Sequence, residues 1–231
     1  MDEDKTERFF IVGIRRSGTS ILRKIISTAP EVERILFEPH ELYHSLMMLH
    51  FRRFKTESHQ RAVNDFRPSD PEKLIGAKIA LNPGIDALDW IWMTRVYPEA
   101  KFIFIRRNLQ DSYASYYKTD LGSVRGIIPE RAYSPMFTWL AGSMFDFYQN
   151  NRGRSVIINY DKMVQSPSAE LKRAWELLGI PEPPGIETMI HPPENRKGME
   201  NHGIKYAEFG LNTKKETNEK NNSDVSDAKS A

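Results

Sequence analysis

Residues 9–29 constrain this chain more than any other stretch. Phe9-Phe10-Ile11-Val12-Gly13-Ile14 is a short apolar run. Arg15-Arg16-Ser17-Gly18-Thr19-Ser20 is a tight polar loop. The residues that follow have helical period and read as a helix over 19–29, stopped at Pro30. Strand, loop, helix is the unit that aims free backbone N–H groups at a phosphate. The spacing Gly13-x-x-x-x-Gly18-Thr19-Ser20 looks like a Walker A loop with one fault, because Thr19 stands where the Walker lysine belongs. That lysine reaches the β- and γ-phosphates of a triphosphate, so ATP and GTP are poor candidates. With Arg15 and Arg16 in the same loop, the stretch still reads as an anion cradle, for a different phosphate ester. The competing reading is an ordinary strand-to-helix turn.

The rest of the chain supplies strands and helices in alternation. Strands are expected at 9–14, 35–37, 74–81, 101–105 and 155–159. Helices are expected at 39–55, 85–97, 109–118, 133–150 and 168–178, the last ended by Gly179 in the left-handed conformation. Residues 56–71 and 119–131 read as loops, the first as a flap. The pattern implies a single α/β domain with a central, mostly parallel sheet flanked by helices. At 231 residues the chain suits one such domain, at 9–211, between a flexible N-terminus (1–8) and a disordered polar tail (212–231). A net charge of +2 does not imply a broad nucleic-acid-binding face, and the absence of cysteine removes thiol catalysis and thiolate metal sites. The start of the chain is too polar for a signal peptide, and no apolar run approaches the roughly 20 residues of a membrane span. A cytoplasmic protein is the expectation.

Two further constellations carry chemistry. Phe102-Ile103-Phe104-Ile105-Arg106-Arg107 puts two arginines at the carboxyl end of a strand, where open α/β sheets bind ligands. Ser115 follows about two helical turns later, so a guanidinium and a hydroxyl can serve one phosphate. Asn195-Arg196-Lys197-Gly198 is a basic loop late in the chain; alone it is a weak signal.

Together these segments resemble the sulfotransferase family, whose donor is 3′-phosphoadenosine 5′-phosphosulfate (PAPS). Arg15 to Ser20 resembles the family's 5′-phosphosulfate loop. Arg107 through Ser115 resembles its 3′-phosphate element, and Arg196-Lys197-Gly198 its late basic loop. Ile157-Ile158-Asn159-Tyr160-Asp161-Lys162-Met163 is similar to the segment whose tyrosine lies near the adenine. The resemblance runs in order over about residues 9–205. It implies a P-loop-like fold and transfer of a sulfuryl group, without metal, to a small-molecule, glycan or peptide acceptor, leaving 3′-phosphoadenosine 5′-phosphate (PAP). The implied donor-binding residues are Arg15, Arg16, Ser17, Gly18, Thr19, Ser20, Arg107, Ser115, Tyr160, Arg196, Lys197 and Gly198. Arg16 and Lys78 are implied to stabilise charge during transfer. The cytosolic branch has a catalytic histidine where this chain has Ala80. Other branches, the tyrosylprotein and some glycan and glycolipid enzymes, use a glutamate after the second short strand, and Glu38 holds that place. His40 and Glu41 are nearby alternatives, and an N-cap is the plainer role for Glu38.

Two rival functions compete. Binding motifs can outlive chemistry, which would leave a non-catalytic 3′-phosphonucleotide-binding protein. His40-Glu41-Leu42-Tyr43-His44 also fits the zinc metallopeptidase pattern, with His50 at the third-ligand spacing. The longer motif needs glycine where Met47 stands, and on a continuous helix His50 points about 120° away from His44. Trp90, Trp92, Trp139, Phe145 and Tyr148 suit an acceptor pocket, though core packing is the expected role for most. His59, His191 and His202 read as surface or loop residues.

Overall fold

The computed structural model describes residues 7–37, 66, 68–81, 94, 97–119 and 130–190. The strands are β1 (Arg8–Ile14), β2 (Val32–Phe37), β3 (Leu74–Leu81), β4 (Lys101–Arg106) and β5 (Ser155–Asn159). The described helices are α1 (Thr19–Ile26), α2 (Leu109–Thr119), α3 (Glu130–Asn150), α4 (Tyr160–Gln165), α5 (Pro167–Leu178) and α6 (Ile186–Met189). The sheet order is β2-β3-β1-β4-β5, and every pairing is parallel. β1 lies in the middle, with Ile11 beside Lys78 of β3 on one edge and Ile103 of β4 on the other.

The three central strands read as nearly continuous apolar runs because both faces of the sheet are covered there. Alternate side chains sort cleanly. Phe10, Val12, Ile14, Ile79, Phe102 and Phe104 join Phe137, Leu140 and Met144 of α3 in one core layer. Phe9, Ile11, Ile103, Ile105 and Ile158 join Leu22 and Ile25 of α1 and Leu171, Trp175 and Leu178 of α5 in the other. Each such fully buried side chain contributes roughly 1.5–3 kcal/mol of transfer free energy, so the central strands anchor the fold. Lys78 belongs to the second, α1-facing layer by parity, yet it is a cation at 1% exposure. Its place near the carboxyl end of β3 matters for the site below.

Local chemistry adjusts the expected boundaries. Helix α1 stops at Ile26, short of the expected Ala29, because Ser27 Oγ donates to the Lys24 carbonyl and Thr28 Oγ1 to the Ile25 carbonyl. These hydroxyls satisfy carbonyls that further helical turns would have used. Helix α4 was not expected. It is too short to show a period, but Asn159 caps it by accepting from the N–H groups of Asp161 and Lys162 at 3.0 and 3.1 Å. Gly179 closes α5 at φ 73°, as its sequence position suggests. Among the described residues no helix is long and apolar enough to cross a membrane. The helices read at 39–55 and 85–97 (Thr94 and Tyr97 apart), most of the 56–71 loop, most of 119–131 and the tail from 212 lie outside the described residues.

Candidate functional site

The loop between β1 and α1 is pinned at both ends. The Arg15 N–H donates to the carbonyl of Leu81, the last residue of β3, and the Ser17 N–H donates to the Ile14 carbonyl, each at 3.0 Å. Arg16 takes a left-handed conformation at φ 69°, alone among the described non-glycine residues. Gly18, the N-cap of α1, is also left-handed at φ 100°. Such turns form the backbone concavities that hold anions, and the first N–H groups of α1 have no partner within the helix. Gly13 lets the loop fold back on its own strand: a Cβ there would lie 2.5 Å from Ser17 Oγ.

Other elements close round this loop. Lys78 Nζ donates to Ser20 Oγ at 3.2 Å, so the amine reaches the N-terminus of α1 from the adjacent strand. Arg107, one residue beyond β4, donates from Nη1 to the Arg16 carbonyl at 3.3 Å, and its guanidinium lies 5.0 Å from the centre of the Tyr160 ring. Arg16 Nε in turn donates to Ser115 Oγ at 3.0 Å, tying the first loop to helix α2. The result is a cleft of about 410 Å³ lined by Arg15, Arg16, Gly18, Thr19, Ser20, Ile21, Lys78, Ala80, Arg107, Ser115 and Tyr160. Among the described residues it holds four cationic side chains and no carboxylate, an arrangement that concentrates anions.

Most of the donor-binding residues expected from sequence therefore meet in one place, although they come from four strand ends. Tyr160 packs its ring against Gly18 and beneath Arg107. Ser17 goes elsewhere: it is 2% exposed and lines a neighbouring cavity instead of the cleft. Ile21 was missed, since its place in the helical pattern gave no sign that it reaches the cleft. Glu38, Arg196, Lys197, Gly198 and the His40–His50 stretch lie outside the described residues.

The contact between Gly18 and Tyr160 makes a direct test. A Cβ on Gly18 would stand 2.3 Å from the tyrosine ring, on a residue whose φ already excludes most side chains. Gly18→Ala is expected to cost ~2 kcal/mol of stability from the backbone conformation alone. The midpoint of thermal unfolding should fall by about 4–8 °C in a chain of this size. An unchanged midpoint would show that the loop does not need its left-handed glycine.

A parallel sheet whose central strand runs into a phosphate-type loop defines a P-loop-like α/β protein. A family model described as the sulfotransferase family matches residues 85–184. The sulfotransferase of Alicyclobacillus acidocaldarius has a similar fold, with a TM-score of 0.54 and 18% identity, covering 76% of this chain and 82% of that one. The sulfotransferase domain of the Synechococcus PCC 7002 olefin synthase gives 0.55 and 17%, covering 83% and 80%. Mouse sulfotransferase SULT7A1, solved in complex with PAP, gives 0.53 and 17%, covering 80% and 65%. No curated protein matches the sequence significantly. Residues 85–184 thus match the sulfotransferase family model, and the chain shares the fold of solved sulfotransferases.

Proposed function

We propose that the protein transfers the sulfuryl group of PAPS to a hydroxyl or amine of an acceptor, releasing PAP. The observation that supports this most is the cleft itself, where Arg15, Arg16, Lys78 and Arg107 surround the N-terminus of α1 with Thr19, Ser20 and Ser115 beside them. The loop N–H groups with Thr19 and Ser20 bind the 5′-phosphosulfate. Arg107 and Ser115 bind the 3′-phosphate, and Arg196, Lys197 and Gly198 complete that site.

Transfer is in line. The acceptor oxygen or nitrogen forms a bond to sulfur as the bond from sulfur to the bridging oxygen breaks, and that oxygen leaves on the 5′-phosphate of PAP. Charge builds on the leaving oxygen, and the cationic side chains and helix N-terminus stabilise it most where water is excluded. Glu38 takes the proton of the acceptor. Lys78 and Arg16 hold the transferring and leaving groups.

Ligand-induced stabilisation tests the reading directly. PAP at about a hundred times its dissociation constant should stabilise the fold by ~2.7 kcal/mol. That corresponds to an unfolding midpoint raised by about 5–10 °C. AMP and ATP, which lack the 3′-phosphate, should have little effect at the same concentrations. Equal stabilisation by AMP would remove both the 3′-phosphate site and PAPS as the donor.

A further inference from the structure

Helix α5 carries a buried carboxylate that stands behind the donor cleft. Glu170, in the first turn of α5, is 9% exposed, and its Oε1 accepts from the Asn159 N–H at 2.6 Å. The same oxygen accepts from Arg173 Nη2 at 3.3 Å, and that nitrogen also donates to the Ile157 carbonyl at 3.1 Å. Among the described residues β5 is the last strand of the sheet and pairs with β4 alone. The Ile157 carbonyl and the Asn159 N–H, one residue either side of Ile158, are the two groups that a further parallel strand would engage. Glu170 and Arg173 take the place of that strand at the final step of β5.

This step leads straight into the site. Asn159 is the last residue of β5 and the N-cap of α4, and its side chain accepts from the N–H groups of Asp161 and Lys162. It is therefore held by Glu170 through its own N–H while it holds α4 through its side chain. Tyr160 follows directly. Its ring lies against Gly18, with the Arg107 guanidinium 5.0 Å from its centre, and all three residues line the cleft. The Glu170–Arg173 ion pair does not by itself explain the arrangement, because Arg173 is half exposed and such pairs contribute little. The stronger contact is the short bond from a backbone N–H to the carboxylate. We infer that Glu170 is a positioning residue for the donor: through the Asn159 N–H it fixes the end of β5, and with it the Tyr160 ring that supports Arg107 and the loop at Gly18. Glu170 itself lies outside the lining of the cleft, and the inference rests on the reading of that cleft as the PAP site.

Three replacements separate this role from a merely structural one. Glu170→Gln keeps an oxygen for the Asn159 N–H, Glu170→Asp draws it back by one methylene, and Glu170→Met removes it. Calorimetric titration with PAP should give an affinity within about twofold of the parent for Glu170→Gln, and a loss of about tenfold for Glu170→Asp and Glu170→Met, the scale of a small misplacement in a preorganised site. In a Tyr160→Leu background the same replacements should cost nothing further, because the two residues act through one contact. In ligand-free protein carrying isotope-labelled tyrosine, the ring signal identified by its loss in Tyr160→Phe should shift in the Asp and Met variants and stay in place in the Gln variant. Should Glu170→Met fail to unfold cooperatively, Glu170→Asp decides, since it keeps the charge at the N-terminus of α5. Parent-like PAP affinity in the Asp and Met variants overturns the inference. So does an equal loss in the Tyr160→Leu background, or a Tyr160 signal that does not move. A parent chain that does not bind PAP ends the PAPS reading instead, and the Tyr160 signal then still tests the hold of Glu170 on that ring.

Discussion

Lys78→Met is expected to lower sulfuryl transfer by ~10²–10³-fold, the loss typical of removing one preorganised charge-stabilising donor from an active site. The reason lies in where the amine sits. Lys78 is 1% exposed on a central strand, and its Nζ reaches Ser20 Oγ at the first turn of α1. In a site shielded from water its charge acts on the transferring group with far less screening than a surface lysine would have. Methionine keeps nearly the same length and fills the same layer, so packing is preserved. Removing the amine takes a donor from Ser20 Oγ, a loss of roughly 1 kcal/mol or more. The variant should still unfold cooperatively, and PAP should still bind. The measurement is transfer of radiolabelled sulfate from PAPS to an acceptor found by screening phenols, glycans and peptides. Full activity in Lys78→Met would leave this lysine as a structural residue only.

Glu38→Gln should reduce the same transfer by ~10²–10⁴-fold, the usual contribution of a general base. Glutamine preserves the shape and cannot accept the proton. Ala80, which lines the cleft, stands where the cytosolic branch that the sequence resembles has a histidine, so the proposed transfer calls for another base. The sequence puts Glu38 directly after Phe37, the end of β2, and Phe37 pairs with Lys78 in the sheet. Activity of the parent chain is expected to rise with pH as the base loses its proton, and Glu38→Gln to lose this limb while PAP binding is unchanged. Unchanged turnover would remove Glu38 from the mechanism and turn the search to His40 and Glu41. Parent protein that binds PAP tightly and transfers to no acceptor would instead be the non-catalytic 3′-phosphonucleotide-binding protein.

The sequence by itself determined the elements and the chemistry they carry. Apolar runs at 9–14, 74–81 and 101–105 became the three central strands because a strand buried on both faces is apolar at every position. The spacing from Gly13 to Ser20 and the Arg107–Ser115 interval are local, and local periods are legible in one dimension. The short helix α4 escaped because six residues cannot display a period, and the early end of α1 because hydroxyls compete for its carbonyls.

Only the tertiary structure decided which of these residues meet. β1 lies between β3 and β4, not beside β2, and that order sets the carboxyl ends of four strands along one edge of the sheet. It brings Lys78 to Ser20, Arg16 to Ser115, and the Tyr160 ring between Gly18 and Arg107. It also buries Ser17, whose Oγ lies beneath the loop against Gly13. Sequence could not reveal this, because adjacent residues in a loop that passes through two left-handed positions point to opposite sides of it, and strand order is fixed by the packing of both faces together.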